Sequence, residues 1–240
     1  MQKYALAVGA SVVIFVLVLV FGPFALSRLI FNEHLEHKNF SVHSDEPISP
    51  AIIGILDSVD ANLRRSEFYF DRRKHFIYIS SNYFNYSIFS PASHSAFAHT
   101  NPFRTFVSKT SIDSNTVTRR GAENNKRSLI GVLSHELTHC LIWYKSGFFH
   151  SRILPKWKVE GYCDYIAKES SFNFTEGMRL VFAKEQDASA SFFYFTAHLC
   201  IKYLIEEKGM LYSEILSERV KQDDVLSEIV AKRCYPDWYW

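Results

Sequence analysis

The chain has 240 residues, of which 48% are hydrophobic and 16% aromatic, and its formal net charge at neutral pH is +2. This length suits one folded domain of roughly 200 residues with an N-terminal extension. The near balance of charge gives no electrostatic reason to expect a nucleic-acid partner, so we predict that the chain binds no nucleic acid.

An unbroken run of apolar and small residues covers residues 5–21. With the residues up to Leu26, it reaches the length of about 20 residues that a helix needs to cross a bilayer. We therefore predict that residues 1–30 form a transmembrane helix, with the membrane as a partner; a cleaved signal peptide is the alternative. Because the short N-terminal tail carries Lys3, the predicted location is a single-pass membrane protein whose folded domain is extracytoplasmic, either periplasmic or extracellular.

The chain contains an even number of cysteines, which could pair in an oxidising compartment. Each could equally be a small buried hydrophobic residue, and the sequence alone allows three pairings. The four cysteines are Cys140, Cys163, Cys200 and Cys234.

Residues 31–48 are polar and lack sustained periodicity, so they predict a linker, and the folded domain is expected to cover residues 49–240. Ser49 and Pro50 form a helix-start pair, which predicts a helix that extends to about Arg65. Short aromatic and β-branched runs then predict strands at residues 67–70, 75–80, 83–89 and 104–109. Residues 90–102, between the last two strands, predict a loop.

From residue 126 onward the hydrophobic pattern is helical. A first helix is predicted to end near Gly147, a residue typical of helix C-termini. Further helices are predicted at residues 155–168, 188–208 and 213–233. Strands followed by helices are the order expected of an α+β domain.

The segment His135-Glu136-Leu137-Thr138-His139 places two histidines four residues apart within the first of these helices. Both imidazoles then project from one face and can bind one zinc ion, while the carboxylate of Glu136 can reach a water molecule on the metal. The alternative is a surface helix with two unrelated histidines.

A catalytic zinc needs a third protein ligand and one open position. Glu160 follows His139 by 21 positions, so the chain can turn near Gly147 and return a carboxylate on a second, packed helix. His150 and Cys163 are other possible third ligands, but neither has a similarly consistent spacing.

The two segments together resemble the gluzincin clan of zinc peptidases, in particular its small peptidase MA-like and minigluzincin families. The resemblance rests on residues 135–139 and on residues 157–165, which are similar to the family pattern Trp-x-x-Glu-Gly-x-x-x-Tyr. It covers residues 127–165 well and residues 66–216 loosely. It implies a zincin-like α+β fold, in which a small antiparallel-edged sheet is followed by the helix of the two histidines, the helix of Glu160 and C-terminal helices.

The same resemblance implies roles for three more residues. Asp164 would hold the ring of a zinc-binding histidine through its carboxylate. Tyr194 would stabilise the negatively charged oxygen that forms during hydrolysis, and His198 is the second choice for this role. A purely structural role for both Tyr194 and His198 is the alternative.

The expected function is therefore zinc-dependent hydrolysis of peptide bonds in a peptide or protein substrate, with Glu136 as general base. Two alternatives stay open: a zinc hydrolase of a non-peptide bond, and an inactive binding domain that zinc stabilises. We expect the substrate to lie extended along the strand at residues 104–109.

Overall fold

The computed structural model describes residues 26–232, which form an α+β domain around a mixed seven-stranded sheet. The strands follow the order β1-β2-β3-β5-β6-β7, and β4 pairs with β5 outside this path. The β2–β3 and β3–β5 pairs are parallel, whereas the other pairs are antiparallel. The strands are β1 (Glu33–His37), β2 (Phe40–Ser44), β3 (His75–Ser80), β4 (Ala98–Asn101), β5 (Arg104–Ser111), β6 (Thr116–Thr118) and β7 (Lys126–Ser128).

Most of the helices follow the sheet in the chain. A π-helical turn, Tyr203–Glu207, continues α7, and residues 26–30 are also helical. The helices are α1 (Ile52–Leu63), α2 (Tyr83–Phe89), α3 (Leu129–Ser146), α4 (Phe148–Ser151), α5 (Lys156–Ala167), α6 (Phe174–Ala183), α7 (Ala190–Lys202), α8 (Tyr212–Ser217) and α9 (Gln222–Ala231).

The central helix of the domain is α3, which packs against α1, α5 and β4. Its Leu133, Leu137 and Leu141 recur every four residues and are 1% exposed or less. They join one hydrophobic core with residues of the sheet and of α1, α5 and α7. Burial of each leucine side chain stabilises the fold by about 1.5–3 kcal/mol, so this face fixes the position of α3. Residues two positions after each leucine lie about 200° around the helix and therefore on its opposite side.

The ends of α3 also follow from its sequence. The side chain of Ser128 accepts a hydrogen bond from the backbone N–H of Gly131, which caps the first turn. Gly147 ends the helix with φ of 81°, a conformation that glycine adopts without steric cost. The predicted C-terminus of this helix is therefore confirmed.

Helices α5 and α7 approach each other closely at Gly161, the residue after Glu160. A β-carbon at this position would overlap the backbone carbonyl of Ala197. Glycine at position 161 thus permits the contact that fixes the helix carrying Glu160.

Several local predictions are wrong. Residues 83–89 form α2 rather than a strand, because the side chain of Asn82 accepts a hydrogen bond from the backbone of Asn85 and starts a helix. Residues 67–70 form no strand, and the predicted linker at residues 31–48 contains β1 and β2. The predicted loop at residues 90–102 contains β4, and α6 was not predicted.

The fold class also needs correction at the membrane helix. No helix within residues 26–232 is long and apolar enough to cross a membrane. The predicted N-terminal transmembrane helix and the single-pass membrane location therefore need correction, since no described helix supports them. The apolar run at residues 5–21, on which that prediction rested, lies outside the described residues. The sheet is also larger than predicted, with seven strands and a parallel centre, whereas its outer strands do pair antiparallel as predicted.

Candidate metal centre

A cleft of about 610 Å³ opens beside α3. One wall is formed by β4 and the residues before it, and another by the connection between β6 and β7. The N-terminal turns of α7 close a further side. The residues of the predicted site that line this cleft are His135, Glu136, His139, Glu160 and Tyr194.

The two histidines of α3 point into the cleft together. Their Nε2 atoms lie 3.3 Å apart, as expected for residues four positions apart on a helix. His135 is buried and His139 is half-buried, and the ring of His139 stacks on Trp143 with centroids 5.9 Å apart. The helix therefore holds both imidazoles at one point of the cleft floor.

Glu160 reaches the same point from α5. Its Oε2 atom lies 3.3 Å from Nε2 of His135 and 3.5 Å from Nε2 of His139. Ligands about 2.0–2.1 Å from a tetrahedral zinc ion lie about 3.3–3.4 Å from one another. The three atoms thus form a triangle of the size that one metal ion requires.

Cys163 competes with Glu160 for the role of third ligand. His135, His139 and Cys163 offer ligand atoms that all lie within 4.8 Å of one another, so this buried group could hold a metal ion. Burial raises the pKa of the Cys163 thiol well above its ordinary value, and the carboxylates of Glu160 and Asp164 raise it further. A cysteine binds a metal ion as the thiolate, and the raised pKa keeps the Cys163 thiol protonated. Cys163 is therefore the weaker candidate for the third ligand.

The pKa of the Glu160 carboxyl group, in contrast to that of the Cys163 thiol, is lowered. Burial opposes its ionisation, but hydrogen bonds and charge from His135 and His139 outweigh burial and hold the pKa well below its ordinary value. Glu160 therefore offers an ionised oxygen at short distance from both nitrogens, which makes it the better candidate for the third ligand.

Asp164 lies one helical turn after Glu160 and is 1% exposed. Its Oδ1 accepts a hydrogen bond from Nδ1 of His135 at 2.7 Å, which leaves Nε2 of that ring directed at Glu160. Burial lowers the pKa of His135, but the nearby carboxylates of Asp164 and Glu160 outweigh it and raise the pKa to about 10. Metal binding would thus displace a proton from Nε2.

Arg127 and Glu169 support this arrangement, and no sequence pattern predicted a role for either residue. Nη2 of Arg127 lies 3.4 Å from Oδ1 of Asp164, and its Nε lies 3.7 Å from Oε2 of Glu169. The carboxylate of Glu169 also accepts hydrogen bonds from the backbone N–H and the hydroxyl of Ser128, each at 3.0 Å. These contacts join β7 to the end of α5, between residues about 40 positions apart in the sequence. No local sequence pattern could therefore predict them.

The structure brings Tyr194 into the site but not His198. The ring centroid of Tyr194 lies 6.2 Å from that of His135, and Tyr194 lines the cleft. His198 is buried, is not among the residues that line the cleft, and its Nδ1 has no hydrogen-bond partner within residues 26–232. Burial lowers the pKa of His198 to about 4, so it is neutral near pH 7.

The cysteines are not paired in the part of the chain that the structure describes. Cys140, Cys163 and Cys200 are all buried and free. They therefore behave as small hydrophobic residues of the core, one of the two possibilities that the sequence left open. Cys234 lies outside the described residues.

The strand expected to bind substrate also needs correction. Residues 104–109 lie in β5, which pairs with β3 on one side and with β4 on the other. Within residues 26–232, β4 pairs with β5 alone, and its Ala98, His99 and Thr100 line the cleft. An extended ligand would therefore meet β4 instead of β5.

The chain matches no model of a known protein family, and no curated protein matches it. What the fold and the site define is an α+β domain with a cleft whose histidines could hold a metal ion.

Proposed function

We propose that this chain is a zinc-dependent metallopeptidase of the gluzincin type. The observation that supports it best is the triangle formed by Nε2 of His135, Nε2 of His139 and Oε2 of Glu160. Two imidazole nitrogens and one carboxylate oxygen suit zinc, and three protein ligands leave one tetrahedral position for water or substrate.

The metal and the chain have separate tasks in this proposal. A zinc ion held by His135, His139 and Glu160 would supply an activated water molecule and a positive charge that polarises the carbonyl under attack. The carboxylate of Glu136, half-buried beside the first ligand, accepts a proton from the water and returns it to the leaving amine. Such a carboxylate has no use in a site that only stabilises a fold.

Tyr194 supplies the hydrogen bond to the oxygen that becomes negatively charged. Burial raises the pKa of its hydroxyl above the ordinary value, and the carboxylates of Glu160, Asp164 and Glu136 raise it further. The hydroxyl therefore keeps its proton and remains a donor. His198 is less suited, because its side chain does not line the cleft.

A peptide substrate would lie extended along β4. The free edge of a strand offers backbone N–H and C=O groups to an added strand, and this edge lies in the cleft. Recognition through the backbone suits a peptide better than an ester or amide without a repeating backbone.

One observation favours a second candidate, a binding domain that a metal ion stabilises. If Cys163 joined the two histidines and Glu160, four protein ligands would close the site and leave no place for water. The thiol would have to lose its proton despite its burial, which makes this candidate the weaker one.

The test is cleavage of a peptide library by the zinc-loaded full chain and by its Glu136→Gln variant. We expect the wild type to cleave, and the variant to bind zinc as tightly while cleaving about a hundred- to ten-thousandfold more slowly, because the base is lost. Cleavage by the variant at the wild-type rate would reject Glu136 as base. A zinc-loaded wild type that cleaves no peptide would favour the binding domain.

A further inference from the structure

Two guanidinium groups line the cleft within the described residues, those of Arg119 and Arg127. Arg127 is paired with the carboxylates of Asp164 and Glu169. Arg119 has no carboxylate within 4.0 Å in the described part of the chain, and its Nε is buried without a hydrogen-bond partner. A partly buried cation without a hydrogen-bond acceptor destabilises the folded protein, which is typical of a group that is kept for binding.

The position of Arg119 is built into the fold. It directly follows β6, and the pairing of Thr118 with Lys126 brings it beside Asn125 at the base of the β6–β7 connection. Two turns close this connection: Ala122 donates to the carbonyl of Arg119 at 3.3 Å, and Asn125 donates to that of Ala122 at 2.9 Å. The loop thus holds Arg119 in the cleft before any ligand arrives.

The side chain of Arg119 is also held from the opposite wall. Its guanidinium carbon lies 5.5 Å from the centre of the Phe97 ring, one residue before β4. A cation–π contact of this kind orients the planar group but satisfies none of its N–H donors. Because Nε is buried, the donors available to a ligand in the cleft are those of the two Nη atoms.

We infer that Arg119 binds a carboxylate of the substrate, so that the cleft selects peptides that carry a negative charge near the bond to be cleaved. The guanidinium donors match a carboxylate in a fork geometry, and Asn125, which also lines the cleft, offers an additional amide donor. The carboxylate can come from an Asp or Glu side chain or from the C-terminus of the peptide. This inference rests on the proposed peptidase function and names its substrate class.

The first measurement is kcat/KM of the zinc-loaded full chain on three matched peptide sets. One set is neutral with an amidated C-terminus, one carries Asp in place of Asn at each position in turn, and one has a free C-terminal carboxylate. We expect one charged set to be preferred by about ten- to a hundredfold, the range of a charge-assisted hydrogen bond. Which set is preferred identifies the source of the carboxylate.

Three variants show which arginine causes the preference for charged peptides: Arg119→Gln, Arg119→Lys and Arg120→Gln. Arg120 is the exposed neighbour and does not line the cleft, so its variant changes net charge equally and should keep the preference. Arg119→Gln should abolish the preference, while Arg119→Lys should keep part of it. Equal cleavage of all sets by the wild type, or an unchanged preference in Arg119→Gln, would overturn the inference.

A binding measurement separates this inference from the proposed activity. The same peptides, labelled with a fluorophore, are titrated with zinc-loaded Glu136→Gln protein, with and without Arg119→Gln, and followed by anisotropy. Tighter binding of charged peptides that disappears with Arg119→Gln supports the inference even if no peptide is ever cleaved. Binding without charge preference, or no binding at all, rejects it whatever the cleavage assay shows.

Discussion

Nδ1 of His135 and Oδ1 of Asp164 lie 2.7 Å apart, so that the ring on α3 is held by a buried carboxylate on α5. The bond fixes both the tautomer and the orientation of the imidazole, which leaves Nε2 directed at Glu160. The two helices of the site are therefore joined through the ring that would bind the metal.

Replacing Asp164 with Asn should weaken zinc binding. The amide keeps the size of the carboxylate but loses its charge, and losses of about ten- to a hundredfold in metal affinity are typical for such partners. Affinity is measured by competition with a chromogenic chelator. Asp224→Asn, an exposed change at the start of α9, is the control and should keep wild-type affinity. Equal affinities in the two variants would show that Asp164 does not position the ligand.

Gly161→Ala should destabilise the fold, although alanine is the better helix former. The new methyl group would overlap the backbone carbonyl of Ala197, and forcing α5 and α7 apart costs about 1–3 kcal/mol. Gly54 is an exposed residue within α1, and an added β-carbon there would meet no other atom. Gly54→Ala should therefore stabilise the fold by about 0.5–1 kcal/mol. Denaturant unfolding of both variants measures the two signs. Stabilisation by both changes would contradict the close approach of α5 and α7.

The parts of the site that the sequence predicts well are those encoded by short-range spacing. His135 and His139 share a helix face, so periodicity alone brings them together, and Glu160 lies on the next long helix after a turn at Gly147. Arg127, Glu169 and the free edge of β4 depend on long-range pairing, which a local pattern does not contain.

The errors in the fold have equally local causes. The aromatic and β-branched residues at 83–89 favour a strand, but the cap at Asn82 and packing of α2 against β5 decide for a helix. In β2 four of the five residues are buried, and two of these are the serines Ser41 and Ser44, so the strand shows no alternation of apolar and polar residues that would predict it.

The stability of the domain should fall below pH of about 6.5 because of His75. Burial, with a smaller contribution from Arg73, lowers the pKa of this side chain in the folded protein from 6.5 to about 4. Between these values the unfolded chain binds the proton and the folded chain does not, so the free energy of unfolding decreases as the pH falls. Above pH of about 6.5 both states are neutral and the contribution is constant.

This shift in the pKa of His75 lowers the free energy of unfolding by about 3 kcal/mol at most between pH 6.5 and pH 4. His75→Gln cannot take up the proton, so its stability should depend less on pH in this window. Denaturant unfolding of both proteins at a series of pH values, with chelator present, gives the difference. Parallel curves for wild type and variant would show that His75 carries no such penalty.

The most direct test of the metal centre is zinc content, measured by mass spectrometry after dialysis, for the wild type, Glu160→Ala and Cys163→Ala. We expect about one zinc ion per chain in the wild type and in Cys163→Ala, and little or none in Glu160→Ala, because that change removes the proposed third ligand. Loss of zinc from Cys163→Ala with full retention in Glu160→Ala would contradict it.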